Sequence, residues 1–305
     1  MKKEGCPVAV LLLVFNRPEP TEQVWEILEQ VKPLKIYIAA DGPRPNKPDE
    51  ATKIAHVRSL VQPNWPCEVT YWFQNNNLGC RNHVSQAISR FFEHEERGII
   101  LEDDCLPAIN FFSFCEQLLD YYQDDTRIMH ISGDNFQHGI QRGNASYYFS
   151  RFNHIWGWAT WRRAWKHYDV NIPDFPEFYK QKALSNILSD TLMRFVWYKN
   201  FHEVYSGKDT WDFQWTYTIW KNNGLAILPQ HNLVTNIGFN QDATHTRFKV
   251  SRFSELPRNE IATENLMHPS WIMPDVEADN YTFYQVFMPG WRSKAKIWFN
   301  LLTGR

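Results

Sequence analysis

Three carboxylates stand side by side in the segment GIILEDDC: Glu102, Asp103 and Asp104 follow directly on Ile99, Ile100 and Leu101. Like charges in contact repel, and removing them from water is costly. The arrangement therefore needs either a cation or exposure to solvent. Oxygen donors suit hard divalent cations such as Mg²⁺ or Mn²⁺. Alternate side chains of a strand share a face, so continued strand geometry would send Glu102 and Asp104 into one cleft and Asp103 the other way. Mg²⁺ and its relatives are usually held by one or two carboxylates plus phosphate oxygens, which a nucleoside-diphosphate donor would bring. The competing reading is an acidic solvated turn before a helix N-terminus, where the macrodipole favours anions. A phosphohydrolase with an aspartyl nucleophile would want paired aspartates after the first strand, and that place holds Asn16-Arg17.

The bulk properties narrow the classes. A chain of 305 residues can bury a large core. A formal net charge of -2 gives no field that favours nucleic acid. Aromatic residues make up 16%, with 14 Trp; most should fill the core, but their flat faces also suit sugar rings and nucleobases. The five cysteines are odd in number and lack paired metal-ligand spacing, which argues against a disulfide framework and a zinc site and for a reducing cytoplasm. The apolar run from Val8 to Phe15 is short and is closed by Asn16-Arg17-Pro18, so it reads as a buried strand rather than a secretory leader. No window approaches the roughly 18 apolar residues of a membrane span.

The elements that must position the carboxylates follow from periodicity. PVAVLLLVFNR reads as a strand buried on both faces. PEPTEQVWEILEQV reads as a helix with Thr21 as N-cap and Val24, Ile27, Leu28 and Val31 on one face. LKIYIAADGPRP, CEVTYWFQNNNLGC, GIILEDDC and RIMHISGDN supply further strands. KPDEATKIAHVRSLVQ, RNHVSQAISRFFEHEER and NFFSFCEQLLDYYQDD supply the helices between them. Such alternation predicts an α/β fold with a mostly parallel, doubly wound sheet flanked by helices, and ligands bind outside the carboxyl ends of such strands. Asn16-Arg17, Asp41-Gly42, the Asn75 to Gly79 turn and the acidic trio all fall there. From Ser146 the sequence becomes dense in aromatics. We read residues 1–145 as a nucleotide-sugar-binding half and 146–305 as an acceptor-side α+β half with a C-terminal tail, in one continuous fold.

LLLVFNRPE, AADGPR, NNNLGCRNHV, GIILEDDC, WGWATWRRAW and NQDATHT stand in the order found in nucleotide-diphospho-sugar glycosyltransferases of the GT-A (Rossmann-like) type. The Glu-Asp-Asp form of the acidic motif resembles that of the N-acetylglucosaminyltransferase I family, over roughly residues 7 to 250. The resemblance implies a metal-dependent hexosyltransferase, inverting, that uses Mn²⁺ or Mg²⁺ and a UDP-sugar, with a glycan or lipid-linked acceptor as in bacterial-type polysaccharide biosynthesis. It implies that Asn16 and Arg17 lie near the nucleotide, that Asp41 faces base or ribose, and that Asn77, Gly79 and Arg81 approach the diphosphate. Arg is a good bidentate phosphate partner and Gly permits close backbone approach. Asp104 would bind the metal directly, while Glu102 and Asp103 would contact ribose or a water on the metal.

Inverting transfer needs a carboxylate that takes the acceptor proton. DTWDFQWTY offers Asp209 and Asp212. Asp212 lies between two tryptophans, a setting that raises a carboxylate pKa; where the family has two adjacent aspartates this chain has Phe213, so the choice between Asp212 and Asp209 stays open. His245 is a candidate metal ligand, Arg247 a donor-binding residue, and Asp242 a second candidate on the same loop. The 161/165 spacing predicts Trp161 and Trp165 on one helix face; Trp156 and Trp158, before that helix, would line the sugar pocket. The basic, amphipathic tail GWRSKAKIWFNLLTGR either packs as a terminal helix or touches an anionic membrane at the inner face. Two rivals stand beside this reading. A sugar-nucleotide nucleotidyltransferase would want a glycine-rich basic loop after the first strand. A non-catalytic carbohydrate-binding protein would use the tryptophans without releasing a nucleotide.

Overall fold

The computed structural model describes residues 5–238 and 256–288. The chain opens with β1 (Val10–Val14), α1 (Pro18–Val31), β2 (Lys35–Ala40), α2 (Glu50–Leu60), β3 (Glu68–Phe73), α3 (Gly79–His94) and β4 (Arg97–Glu102). A short β5 (Cys105–Pro107) leads into α4 (Asn110–Tyr121) and β6 (Ile128–Ser132). Then come β7 (Tyr147–Ser150), β8 (Trp158–Trp161), α5 (Arg162–Trp165), α6 (Phe175–Lys180), α7 (Thr191–Tyr205), α8 (Asp212–Lys221), β9 (Leu225–Pro229), β10 (Val234–Asn236) and α9 (Val276–Thr282).

Among the described residues one eight-stranded sheet runs β3-β2-β1-β4-β8-β6-β9-β7. β3, β2, β1 and β4 are parallel neighbours, as are β6 and β9, while β8 and β7 run against their neighbours. The fold is α/β with a mostly parallel sheet flanked by helices. Strands from both sides of residue 145 share this sheet.

The continuous apolar run of β1 is explained by burial on both faces. Val10, Leu12 and Val14 join one core with Val24 and Leu28 of α1, Val57 of α2 and Phe111, Phe114 and Leu118 of α4. Leu11 and Leu13 join the opposite core with Ile88 and Phe91 of α3, Trp197 and Phe201 of α7 and Trp215 and Ile219 of α8.

Two local expectations are corrected. Thr21 is not an N-cap: α1 begins at Pro18, whose fixed φ suits a first helical position, and the Thr21 hydroxyl donates back to the Arg17 carbonyl at 2.6 Å. Trp161 does not share a helix face with Trp165, because Trp158–Trp161 is a strand wedged antiparallel between β4 and β6. Trp158 consequently lies in the core at 0% exposure, stacked on His130 with ring centroids 5.0 Å apart. Among the described residues no helix is long and apolar enough to cross a membrane, and all five cysteines are free.

Candidate active site

Every parallel strand from β1 to β4 ends at the same sheet edge, and the turns that follow line one cleft of about 370 Å³, within the size range of small-ligand sites. Phe15 and Arg17 come from the β1 turn, Asp41 and Arg44 from the β2 turn, and Asn77 and Gly79 from the β3 turn. Glu102 ends β4 and Asp103 and Asp104 follow it, while Asp209 approaches from the loop before α8 and Asp212 from its first residue.

The acidic trio does not keep the strand alternation expected of it. β4 ends at Glu102, and Asp103 and Asp104 form a turn before β5. All three carboxylates therefore face the cleft. Arg17 spans two of them: Nη2 donates to Asp103 Oδ1, and Nη1 donates to Asp104 Oδ2 at 2.8 Å. Burial works against the guanidinium charge, but the two carboxylates raise the Arg17 pKa. Asp103 is held further by the backbone N–H of Phe15, which donates to Oδ2 at 3.2 Å.

Glu102 is different. No hydrogen bond to its carboxylate is present among the described residues, and burial, reinforced by Asp104 and Asp103 and opposed by Arg17, pushes its pKa up to about 8. A carboxylate with a raised pKa thus stands in the cleft at Glu102.

A second layer covers the trio. β10 pairs antiparallel with β5, Asn236 opposite Cys105, and the Ile237 N–H donates to the Asp104 carbonyl at 2.8 Å. Gly238 then packs so closely that a Cβ there would lie 2.0 Å from Asp104 Oδ2 and 2.7 Å from Arg17 Nη1. Only glycine admits this approach.

On the other flank Asp41 is 4% exposed and fully engaged. It accepts from the backbone N–H groups of Gly42 (2.8 Å), Leu78 (2.9 Å) and Gly79 (3.1 Å), and from Asn77 Nδ2 (3.0 Å). Asp41 and Asn77 thus build the β3–α3 turn as well as lining the cleft. Gly79 holds φ +78°, and a Cβ there would meet both Asp209 carboxylate oxygens at 3.2 Å. Asp209 Oδ1 accepts from the Arg81 N–H at 2.8 Å, near the start of α3. Asp212 is the first residue of α8, and its Oδ1 accepts from the Thr210 hydroxyl.

Three expected donor residues lie elsewhere. Asn16 turns from the cleft and donates to Glu50 Oε1 at 2.9 Å. Arg81 does not line the cleft, because its guanidinium is bound to the Val170 carbonyl (2.9 Å) and Asn171 Oδ1 (3.0 Å). Trp158 is buried in β8, and Trp156 alone of that pair lines the cleft. His245, Arg247, Asp242 and the tail 290–305 fall outside the described residues. Sequence reasoning missed Phe15, Arg44, Cys80, Trp211 and Gly238. Phe15 and Arg44 stand inside quoted motifs, whereas the Gly238 contact joins segments with no local signal of their proximity.

Six carboxylates and two guanidiniums line the cleft, so an entering diphosphate would meet net negative charge and needs cationic help. Among the described residues no three acidic, His or Cys side chains are grouped to hold a metal by themselves. The chemistry of the donor set still fits a hard dication shared with phosphate oxygens. Among the described residues the Glu102 carboxylate accepts no hydrogen bond, and the one polar partner of Asp104 Oδ1 is the Cys105 thiol, at 3.6 Å.

The sequence matches no family model and no curated protein. Solved structures similar to the chain include mannosyltransferase PcManGT from Pyrobaculum calidifontis in complex with GDP-Man and Mn²⁺, at 14% identity and TM-score 0.32, covering 50% of this chain and 44% of that one. HddC from Yersinia pseudotuberculosis is similar at 11% identity and TM-score 0.31, covering 51% of this chain and 77% of that one. An apo-UDP-glucose pyrophosphorylase is similar at 10% identity and TM-score 0.34, covering 72% and 90%. The chain thus spans less than half the length of the mannosyltransferase. Likeness this distant carries no functional argument; the site itself must supply it.

Proposed function

We propose that the chain is a glycosyltransferase that moves a sugar from a nucleoside-diphosphate donor to an acceptor hydroxyl, with inversion at the anomeric carbon. The observation that supports this most is the convergence, in one net-negative cleft at the carboxyl edge of the parallel strands, of Arg17, the acidic trio and the Asp209–Asp212 loop. The metal that the resemblance implies, Mn²⁺ or Mg²⁺, would be held by Asp104 beside Glu102 and Asp103, and when bound it supplies charge neutralisation of the leaving diphosphate. Arg17 contributes fixed positive charge at the same place.

Asp212 suits the base. Its carboxylate faces the cleft and is oriented by Thr210, whereas the Asp209 carboxylate is committed to the Arg81 N–H. Asp212 takes the proton of the acceptor hydroxyl as its oxygen bonds to the anomeric carbon, and the bond from that carbon to the phosphate oxygen breaks. Trp156 and Trp211, both lining the cleft, offer apolar faces for sugar rings. The acceptor is a glycan or a lipid-linked sugar. A nucleotidyltransferase is disfavoured, since only Phe15–Arg17 separates β1 from α1 and leaves no glycine-rich triphosphate loop. Thermal shift against a panel of nucleoside diphosphates with and without Mn²⁺ tests the reading. A diphosphate-specific, metal-enhanced rise in melting temperature is expected, and a panel with no shift would sink it.

A further inference from the structure

The helix that carries Asp212 is held from behind by a ring that never reaches the cleft. His130 of β6 is fully buried, as are Trp158 of β8 and Trp215 of α8. Trp215 Nε1 stands 3.1 Å from His130 Nδ1. An indole N–H only donates, so Nδ1 is the accepting nitrogen and Nε2 carries the proton. Nε2 in turn donates to the His154 carbonyl at 2.7 Å. Burial pushes the His130 pKa down to about 3, so near neutral pH the imidazole is uncharged and keeps its acceptor.

The same ring heads a column that ends at the cleft. His130 stacks on Trp158 with centroids 5.0 Å apart, and Trp158 stacks on Trp211 at 5.7 Å, both pairs inclined at 19°. Trp211 immediately precedes Asp212 and lines the cleft with it. Trp215, four residues on, lies on the same side of the helix start and also packs on Trp158, at 6.0 Å. The first turn of α8 therefore rests on Trp158 through two tryptophans. Ring contacts tolerate sliding, whereas a hydrogen bond weakens steeply when misdirected. Trp158 supplies no such tie, since its Nε1 is buried without a partner among the described residues. Tyr168 donates to the Trp211 carbonyl at 3.1 Å and Thr216 donates to Asn153 Oδ1 at 2.8 Å, but Tyr168 and Asn153 lie on loops. His130 belongs to a strand inside the sheet, between β8 and β9.

We propose that His130 is the positioning residue for the base, fixing the start of α8, and with it the Asp212 carboxylate, to the sheet through the Trp215 indole. This rests on the reading of Asp212 as the group that takes the acceptor proton. His130 touches no reacting atom and acts through α8.

Nucleotide release from UDP-glucose, UDP-N-acetylglucosamine and GDP-mannose with Mn²⁺, followed on the full chain well below its melting temperature, tests the assignment. His130→Phe keeps a ring on Trp158 and removes both hydrogen bonds. It should lower kcat about tenfold to a hundredfold, as a small displacement of a reacting group does, and leave the donor KM near wild type. His130→Asn, whose side-chain oxygen can accept where Nδ1 does, should recover most of the loss. Trp215→Phe cuts the same bond from the helix side; it should reproduce the loss and guards against a folding defect in His130→Phe. The decisive variant joins His130→Phe to Asp212→Asn. Once the base is gone its position no longer matters, so kcat should equal that of Asp212→Asn alone within about twofold. A general defect of the core would instead multiply the two losses. Multiplied losses, or a kcat of wild-type size in both His130→Phe and Trp215→Phe, overturn this assignment and leave the transferase reading standing. If the wild-type protein releases nucleotide from none of these donors, that reading falls and this assignment with it.

Discussion

Arg17 Nη1 stands 2.8 Å from Asp104 Oδ2 while its Nη2 bonds Asp103, with the three side chains 15%, 12% and 3% exposed. One guanidinium thus bridges two adjacent carboxylates at the place where a dication would sit. This answers in part why a buried strand ends in three acids: Arg17 binds two of them, although burial still leaves the Asp103 pKa raised, and Glu102, which Arg17 does not bond, is pushed up to about 8. A dication arriving with a diphosphate would share Asp104 with Arg17.

Removing the guanidinium should therefore expose the repulsion. Losing one partner of a buried pair costs about 3–5 kcal/mol, so Arg17→Met should lower the melting temperature markedly. Mn²⁺ or Mg²⁺ should restore part of the loss in the variant more than it stabilises the wild type. Melting curves in EDTA and in millimolar metal decide this. An Arg17→Met protein that melts like wild type in EDTA would show that the bridge is not needed.

The two candidate bases are separable by what else they do. Asp209 accepts from the Arg81 N–H near the start of α3, so Asp209→Asn should cost about 1 kcal/mol of stability, like a lost helix cap, with a modest effect on rate. Asp212→Asn should leave stability and donor affinity near wild type and lower kcat by roughly 10²–10⁴-fold. Steady-state kinetics beside thermal melts read both. The reverse pattern would transfer the role to Asp209.

Much of the frame was legible because parallel strands buried on both faces announce themselves as continuous apolar runs. The chain from β1 to α4 and on to β6 follows the periodicity closely, and the sheet edge that gathers Arg17, Asp41 and the trio follows from it. The trio's shared orientation was not legible, since strand alternation lapses at Asp103, where a turn begins. Arg81 was misplaced because nothing local foretells that its guanidinium reaches the Val170 carbonyl. β5 and β10, three residues each, carry no periodicity, yet they set Gly238 against Asp104. The four-residue spacing of Trp161 and Trp165 suits one helix face, but Trp161 closes a strand, and only pairing with β4 and β6 decides this.

Stability should depend on pH through a group far from the cleft. Asp279 of α9 accepts from the Ser150 hydroxyl and the Arg151 N–H (3.1 Å), and burial pushes its pKa from 3.8 to about 7. The folded state then keeps a proton that the unfolded state releases between those values. The contribution is complete below pH 3.8 and is lost as pH rises toward 7, on the order of 4 kcal/mol. Asp279→Asn should flatten this slope, so that denaturant unfolding at pH 4 and pH 8 separates wild type from variant at the higher pH. Equal slopes in the two proteins would remove the protonated Asp279 from the account.

The approach of Gly238 to Asp104 gives the sharpest local test. A methyl group there would sit 2.0 Å from a carboxylate oxygen and 2.7 Å from Arg17, so either the Arg17–Asp104 pair parts or the strand carrying β10 lifts from β5. Gly238→Ala should cost about 1–3 kcal/mol and weaken donor binding. Gly139→Ala is the control: its φ of +85° is strained for alanine, but a Cβ there meets nothing within 4 Å, so it should cost only about 1 kcal/mol and leave donor binding unchanged. If calorimetry finds donor affinity untouched in Gly238→Ala, the covering segment does not shape the phosphate end of the cleft. A loss confined to Gly238→Ala ties the β10 turn to the arginine–carboxylate bridge beneath it.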